Sequence, residues 1–357
     1  MLRLIKNIFL LTVPSIILIL IFFEVIVFRY LIPAASLPYI YFDAKDQILK
    51  YDQRIENKGV YTTGLFAQQR AWWHINNDGW NSAIDYSLNH KDKPLIAIIG
   101  DSYIEAFQVD PQKSIVGIIR EKMKDKYEVY GFGLSGAPLS QYMHMSRYAK
   151  KHFNPDVLVI NVVHNDFDES LCAVKNAEGM LCLDCNKSDV EESPVMPYFP
   201  SKLKRLIRKS ALVRYCMLNL NVLGRIERYE FNQKNYNANI DVDAVNRQRQ
   251  HINLAVDYML EKIKDEYKGK KIIFEIDAPR NDIYCDTLAE SSVIWMNQLL
   301  ADKCKKHNLD FLDLTAAFAN DYKVHHKKFD VPDGHWNAYG HKIAATALFK
   351  KLREIGL

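Results

Sequence analysis

The sequence predicts an α/β protein: a three-layer α/β/α sandwich on a mainly parallel sheet, preceded by one N-terminal transmembrane helix. Three observations carry the prediction. From residue 94 onward, short apolar runs of strand length alternate with longer stretches of helical periodicity, the order that lays successive strands side by side under crossover helices. The run at 95–99 is apolar without a break and stops at a Gly-Asp-Ser turn, as a buried strand does. Residues 8–28 form one apolar segment of 21 residues, interrupted only by Thr12, Pro14, Ser15 and Glu24.

That segment is long enough to cross a bilayer as a helix and too long for an ordinary signal-peptide core. Pro33-Ala34-Ala35 is a poor cleavage site, so residues 1–33 are expected to remain as an uncleaved signal anchor. Arg3 and Lys6 precede it. They place the short N-terminus in the cytoplasm and everything beyond residue 33 on the periplasmic or extracellular side of the inner (cytoplasmic) membrane, in a single pass, although Lys45 and Lys50 soften the charge contrast. Glu24 is expected to reach the interface.

Residues 34–92 read as a lead-in rich in Tyr, Trp and Asn, ending near the turn signal Asp78-Gly79. Tyr39, Tyr41, Trp72, Trp73 and Trp80 have the composition of a sugar-stacking surface, but aromatics packed against the domain or near the membrane interface are the simpler reading. The main domain, 93–357, has strands expected at 94–100, 127–132, 155–163, 271–276 and 309–314. Helices are expected near 114–125, 138–151, 243–266, 288–307 and 338–353.

An insertion at about 167–241 breaks the alternation. It holds Cys172, Cys182 and Cys185, three of the six cysteines, then Pro194, Pro197 and Pro200, then the basic stretch 202–209. In an oxidising compartment the cysteine cluster favours one local disulfide, Cys172 with Cys182 or Cys185. The insertion is placed to cover the site as a lid, to lie on anionic lipid through its basic face, or to pack beside the domain as a solvated helix.

Four short blocks carry the chemistry: Gly100-Asp101-Ser102, Gly133-Leu134-Ser135-Gly136, Val163-His164-Asn165-Asp166 and Asp333-Gly334-His335-Trp336-Asn337. The first three each follow an expected strand, so their loops converge at the carboxyl edge of one sheet, where ligands bind in such folds. In order and spacing the set resembles the SGNH (GDSL-like) hydrolase family over residues ~93–353, which implies the flavodoxin-like variant of the predicted sandwich. The resemblance implies a serine esterase with Ser102 as nucleophile and His335 as its base, because a serine hydroxyl is a poor nucleophile until an imidazole takes its proton. It also implies an oxyanion hole from the backbone N–H groups of Ser102 and Gly136 and the side-chain amide of Asn165. Gly133 reads as a turn residue; Asp101 and Asp166 read as binding loop amides or capping helices.

The acid departs from the family's usual Asp-x-x-His, since Pro332 stands three residues before His335. Asp333 lies at minus two and Asp330 at minus five. Some sugar O-acetyltransferase relatives carry Asp-x-His, which favours Asp333; Asp330 and a Ser–His dyad are the alternatives. The resemblance further implies an acylated, chiefly O-acetylated, carbohydrate of the cell envelope as ester substrate. An O-acetyltransferase fed by an acyl-donor membrane partner, and a non-catalytic glycan-binding scaffold, are the rival readings.

A net charge of +4 gives no general attraction to nucleic acid, and no nucleic-acid motif is present. With 48% hydrophobic and 25% charged residues the composition is that of a globular chain, not a disordered one. His325-His326 lie near His335 and Asp330, but Lys327 and Lys328 and the lack of any zinc-ligand spacing argue against a metal site, and no cofactor is implied.

Overall fold

The protein is seen in a computed structural model that describes residues 8–88, 92–186, 189–222 and 236–357. Arg3 and Lys6, on which the expected orientation rests, lie outside these residues. Phe9–Leu31 form helix α1, 23 residues of mean hydropathy 2.7 whose side chains are almost entirely uncovered by protein. The helix is long and apolar enough to cross a bilayer.

The lead-in folds as two antiparallel hairpins, β1 (Ile40–Asp43) with β2 (Ile48–Tyr51) and β3 (Lys58–Thr63) with β4 (Gln69–His74). The Asp78-Gly79 signal is a true turn. The Asn76 side-chain oxygen accepts from the N–H groups of Asp78 (3.1 Å) and Trp80 (3.0 Å), and Gly79 takes φ +93°. Trp73 and Trp80 are fully buried in the apolar cluster that covers one face of the main sheet, together with Ile48, Tyr51 and Tyr86. Trp72 faces solvent, with the Arg70 guanidinium over its ring.

The main sheet comprises β5 (Leu95–Gly100), β6 (Glu128–Gly133), β7 (Val157–Val162), β12 (Lys271–Ile276) and β13 (Asp310–Asp313), in the order β13-β12-β7-β5-β6. All four pairings are parallel. Among the described residues between β7 and β12 are the hairpin of β8 (Leu183–Asn186) and β9 (Asp189–Glu192), the two-residue strands β10 (Tyr236–Asn237) and β11 (Ile240–Asp241), and several helices. A disulfide joins Cys172 to Cys182, one of the two expected pairings, and Cys185 is free.

The helices after α1 are α2 (Ser102–Glu105), α3 (Ile115–Met123), α4 (Leu139–Phe153), α5 (Asn165–Glu169), α6 (Lys202–Ile207), α7 (Ala211–Arg214), α8 (Val242–Arg247), α9 (Arg249–Glu266), α10 (Arg280–Tyr284), α11 (Ile294–His307), α12 (Thr315–His325) and α13 (Ala338–Glu354). Strand alternation sorts them into layers. Ile96, Ile98, Val157 and Val159 meet α3, α12 and α13 on one face, while Leu95, Ala97, Ile99 and Ile160 meet α4, α9 and α11 on the other. Each of the Val, Leu and Ile side chains among them, fully buried between sheet and helices, stabilises the sandwich by roughly 1.5–3 kcal/mol.

Three expectations are corrected. The helix expected from 243 is broken at Gln248 into α8 and α9. The one expected from 288 starts as α11 only at Ile294, because the hydroxyl of Ser291 takes the Val293 N–H and competes with helical pairing. Helix α12 was not expected at all; Phe318 is its one fully buried side chain, too little to set up a periodic apolar face.

Gly133 is more than a turn residue. As the last residue of β6 it lies against α2 so closely that a Cβ would stand 2.1 Å from the Glu105 backbone N and 2.6 Å from its Cα. Gly133→Ala must therefore push α2, and Ser102 with it, off the sheet. The expected cost is about 1–3 kcal/mol, read as a lower denaturant midpoint at unchanged slope.

Candidate active site

The register Gly100↔Gly133 sets the ends of β5 and β6 level, so the loops carrying Ser102 and Gly136 leave the same carboxyl edge side by side. Asp101 caps α2, its carboxylate accepting the Tyr103 N–H at 2.9 Å, and Ser102 opens the helix. Asp166 performs the other structural task expected of it, accepting from the Val163 N–H (2.7 Å) and the Tyr142 hydroxyl (2.9 Å).

His335 arrives on a tightly held loop. Gly334, at φ +91°, closes a turn in which its N–H donates to the Val331 carbonyl at 2.9 Å. Trp336 is fully buried and donates its indole N–H to Asp277 at 3.0 Å. The Gly334 carbonyl accepts from the Tyr103 hydroxyl (3.0 Å) and from Arg280 (2.9 Å), and Asn337 caps α13. Three anchors thus fix one imidazole.

The result is a hydrogen-bonded chain. His335 Nε2 lies 2.8 Å from Ser102 Oγ, and Nδ1 lies 2.9 Å from Asp333 Oδ1. Asp333, which can only accept, takes the Nδ1–H, leaving Nε2 free to accept the serine proton. The His335 backbone N–H also donates to Asp333 Oδ1 at 3.1 Å, and the Tyr61 hydroxyl donates to Oδ2 at 2.7 Å. Asp330, the other sequence candidate, is elsewhere: it pairs with Arg280 and accepts from the Tyr284 hydroxyl at 2.6 Å.

Electrostatics follow the same contacts. Burial opposes ionisation of Asp333, yet the hydrogen bond and charge of His335 and the Tyr61 hydroxyl bring its pKa down to about 2. Burial works against protonated His335 as well, but the Asp333 carboxylate, with Asp101 behind it, raises its pKa above the ordinary 6.5. The imidazolium–carboxylate pair therefore stabilises the fold below pH 6.5, a contribution lost as pH rises through the raised histidine value. The contribution of Asp333 is present above its ordinary 3.8 and lost as pH falls toward about 2. Only neutral imidazole can take a proton from serine. The acid limb of kcat/KM should accordingly have its midpoint above 6.5, and Asp333→Asn should move it to lower pH; a wild-type midpoint below 6 would contradict this account.

Gly136 adopts φ +72°, a backbone shape that glycine tolerates, and its carbonyl accepts from Lys175 at 2.7 Å. Asn165 opens α5 and lines a cleft of about 510 Å³ whose walls include Tyr103, Arg280, Asp330, Asp333 and Gly334. Sequence reasoning missed Tyr61 and Arg280, for neither sits in a block with a recognisable pattern. It also missed Glu105. As the last residue of α2, fully buried and with its pKa pushed up to about 7 by that burial, Glu105 accepts from the Ser135 N–H at 2.9 Å and from the hydroxyls of Ser135 and Tyr51. It ties the helix that begins at Ser102 to the Gly133–Gly136 loop; a lone acid in the apolar run Tyr-Ile-Glu-Ala-Phe was the only available signal.

A serine within hydrogen-bond reach of an oriented imidazole, at the carboxyl edge of a parallel sheet, is the constellation of serine hydrolases. Residues 98–343 match the model of the GDSL-like Lipase/Acylhydrolase family, and the chain belongs to that family of ester-bond hydrolases. Solved structures similar to it include a member of the lipolytic protein G-D-S-L family from Veillonella parvula DSM 2008, at 10% identity and TM-score 0.42, with 72% of this chain and 96% of that one covered. The lipase Lip_vut3 from a goat rumen metagenome is 17% identical, at TM-score 0.42, with 74% and 98% covered. A two-domain esterase active on acetylated mannans is 10% identical, at TM-score 0.41, with 74% of this chain and 50% of that one covered. At such identity the likeness is one of fold. No curated protein matches the chain.

Proposed function

We propose that this protein is a serine esterase that removes O-acyl groups, chiefly O-acetyl, from an extracytoplasmic carbohydrate while tethered to the membrane by α1. Ser102 attacks the ester carbonyl as His335 takes its proton, and Asp333 holds the imidazole and stabilises its cationic form. The backbone N–H groups of Ser102 and Gly136 and the Asn165 amide receive the oxyanion, each donor being worth roughly 10²–10³ in rate. His335 returns the proton to the leaving alcohol, and water, activated by the same imidazole, releases the acyl group.

The observation that carries this reading is the Ser102–His335–Asp333 hydrogen-bond chain. The adjoining cleft supports the carbohydrate half, because it is lined by Asn165, Asn237, Asn239, Asn281, Arg280 and Lys328, groups suited to sugar hydroxyls rather than a long acyl chain. The Cys172–Cys182 disulfide supports placement in an oxidising compartment outside the cytoplasm. The test is to label the purified full chain with a serine-directed fluorophosphonate, map the adduct, and compare acetylated oligosaccharides with long-chain lipid esters as substrates. Labelling at Ser102 and preference for the acetylated sugars are expected. An adduct elsewhere removes the mechanism, and preference for lipid esters removes the substrate class.

A further inference from the structure

We propose that residues 196–222 form a membrane-surface element, which seats the catalytic domain on anionic phospholipid beside α1. The proposal rests on reading α1 as a membrane span.

The first observation is where this segment docks. Ala211 and Tyr215 form a small buried cluster with Val27, Phe28 and Ala34, and the rings of Phe28 and Tyr215 stack with centroids 3.9 Å apart. Glu24, an acid inside the largely apolar α1, pairs with Arg29 of the same helix at 2.6 Å and accepts from the Ser210 hydroxyl (2.8 Å) and the N–H groups of Ala211 (3.0 Å) and Leu212 (2.8 Å). It caps α7 from the side. Glu24 stands ~10 Å below Leu31 along the helix, and α1 spans ~35 Å against ~30 Å of hydrocarbon; with the ~5 Å surplus outside, Glu24 lies just within the outer edge of the hydrocarbon and the contacts of Val27, Phe28 and Ala34 fall at the interface.

The second observation is the surface left exposed there. Leu203, Leu206 and Ile207 recur at the spacing of one helix face on α6 and are 64%, 65% and 43% exposed, with Phe199 at 78% just before them. They adjoin in kind Tyr30 and Leu31, at 78% and 68%, on the end of α1. Between Ser193 and Val222 there are six Lys or Arg residues and no Asp or Glu. An apolar face set among cations and docked beside a membrane-crossing helix matches an interfacial helix on anionic lipid, where each cation near the surface contributes about 1 kcal/mol.

Hydrogen bonds connect the element to the strand that reaches the site. The Asn219 side chain accepts from the Ala35 N–H and donates to the Thr62 hydroxyl, both at 2.9 Å, and the next residue on β3 is Tyr61, whose hydroxyl holds Asp333. The domain is thereby held at a fixed height above the bilayer instead of swinging on a tether.

The test uses the full chain reconstituted in vesicles of phosphatidylethanolamine and phosphatidylglycerol. A photoreactive benzophenone side chain is placed in turn at Leu203, Leu206, Ile17 within α1, and Val324, which is 70% exposed on α12. Hydrolysis of a soluble aryl ester at the unmodified rate verifies folding. Lipid adducts at Ile17, Leu203 and Leu206, several-fold above Val324, are expected, and the Leu206 yield should fall several-fold when phosphatidylcholine replaces both lipids. Adducts at Ile17 with Leu203 and Leu206 no higher than Val324 overturn this proposal alone. No adduct at Ile17 overturns the membrane-spanning reading and this proposal with it, and equal yields in the two lipid compositions overturn recognition of anionic lipid.

Discussion

Ser102→Ala is expected to abolish hydrolysis of a short-chain aryl ester, with kcat falling by an amount on the order of 10⁶, the loss seen when the nucleophile is removed from the best-studied triads. The hydroxyl is the only group in the described structure within 2.8 Å of His335 Nε2, and no second nucleophile stands in its place. Stability should change little. The substitution removes the one hydrogen bond the hydroxyl donates, to His335 or, more weakly, to Asp101 at 3.2 Å, worth about 1 kcal/mol; Asp101 keeps the Tyr103 N–H, and the His335 side chain is 24% exposed, so water can replace the lost partner. Product release should be measured beside thermal unfolding. A folded mutant turning over at the wild-type rate would remove Ser102 from the mechanism.

Asp333→Asn is expected to lower kcat by up to ~10⁴, because an amide in place of the carboxylate supports the wrong imidazole tautomer. Asp330→Asn should lower kcat by less than about tenfold, since Asp330 engages Arg280 and Tyr284 and not His335. Its effect should fall on stability: Arg280 is largely buried and would retain Asp277, at 3.1 Å, as its remaining carboxylate partner. Both mutants should be compared at neutral pH on the same ester, with circular dichroism as a check on folding. If Asp330→Asn is the more damaging to kcat, the acid is at minus five; if neither matters, His335 works without a carboxylate.

These contrasts show how far local sequence reaches. Buried parallel strands and the Gly-Asp-Ser turn are written in contiguous residues, because apolar runs and turn chemistry are local properties. The 21-residue apolar segment at 8–28 is as legible, since bilayer thickness fixes the length required. Ser102, Gly136, Asn165 and His335 could be named because each lies in a short block beside a strand or helix end.

The partners of those blocks could not. Asp333 and Asp330 are equivalent as letters, and only the turn at Val331–Gly334 directs one carboxylate to the imidazole and the other to Arg280. Tyr61 meets Asp333 across 272 residues of chain, and Glu24 meets Leu212 across 188, separations at which no periodicity or motif survives. The sequence by itself therefore determined the sheet, the anchor-like helix and the turn that presents Ser102, which depend on neighbours in the chain. The tertiary structure alone decided which acid touches the histidine, which residues hold its loop and where the insertion docks, because these depend on side chains brought together only when the layers pack.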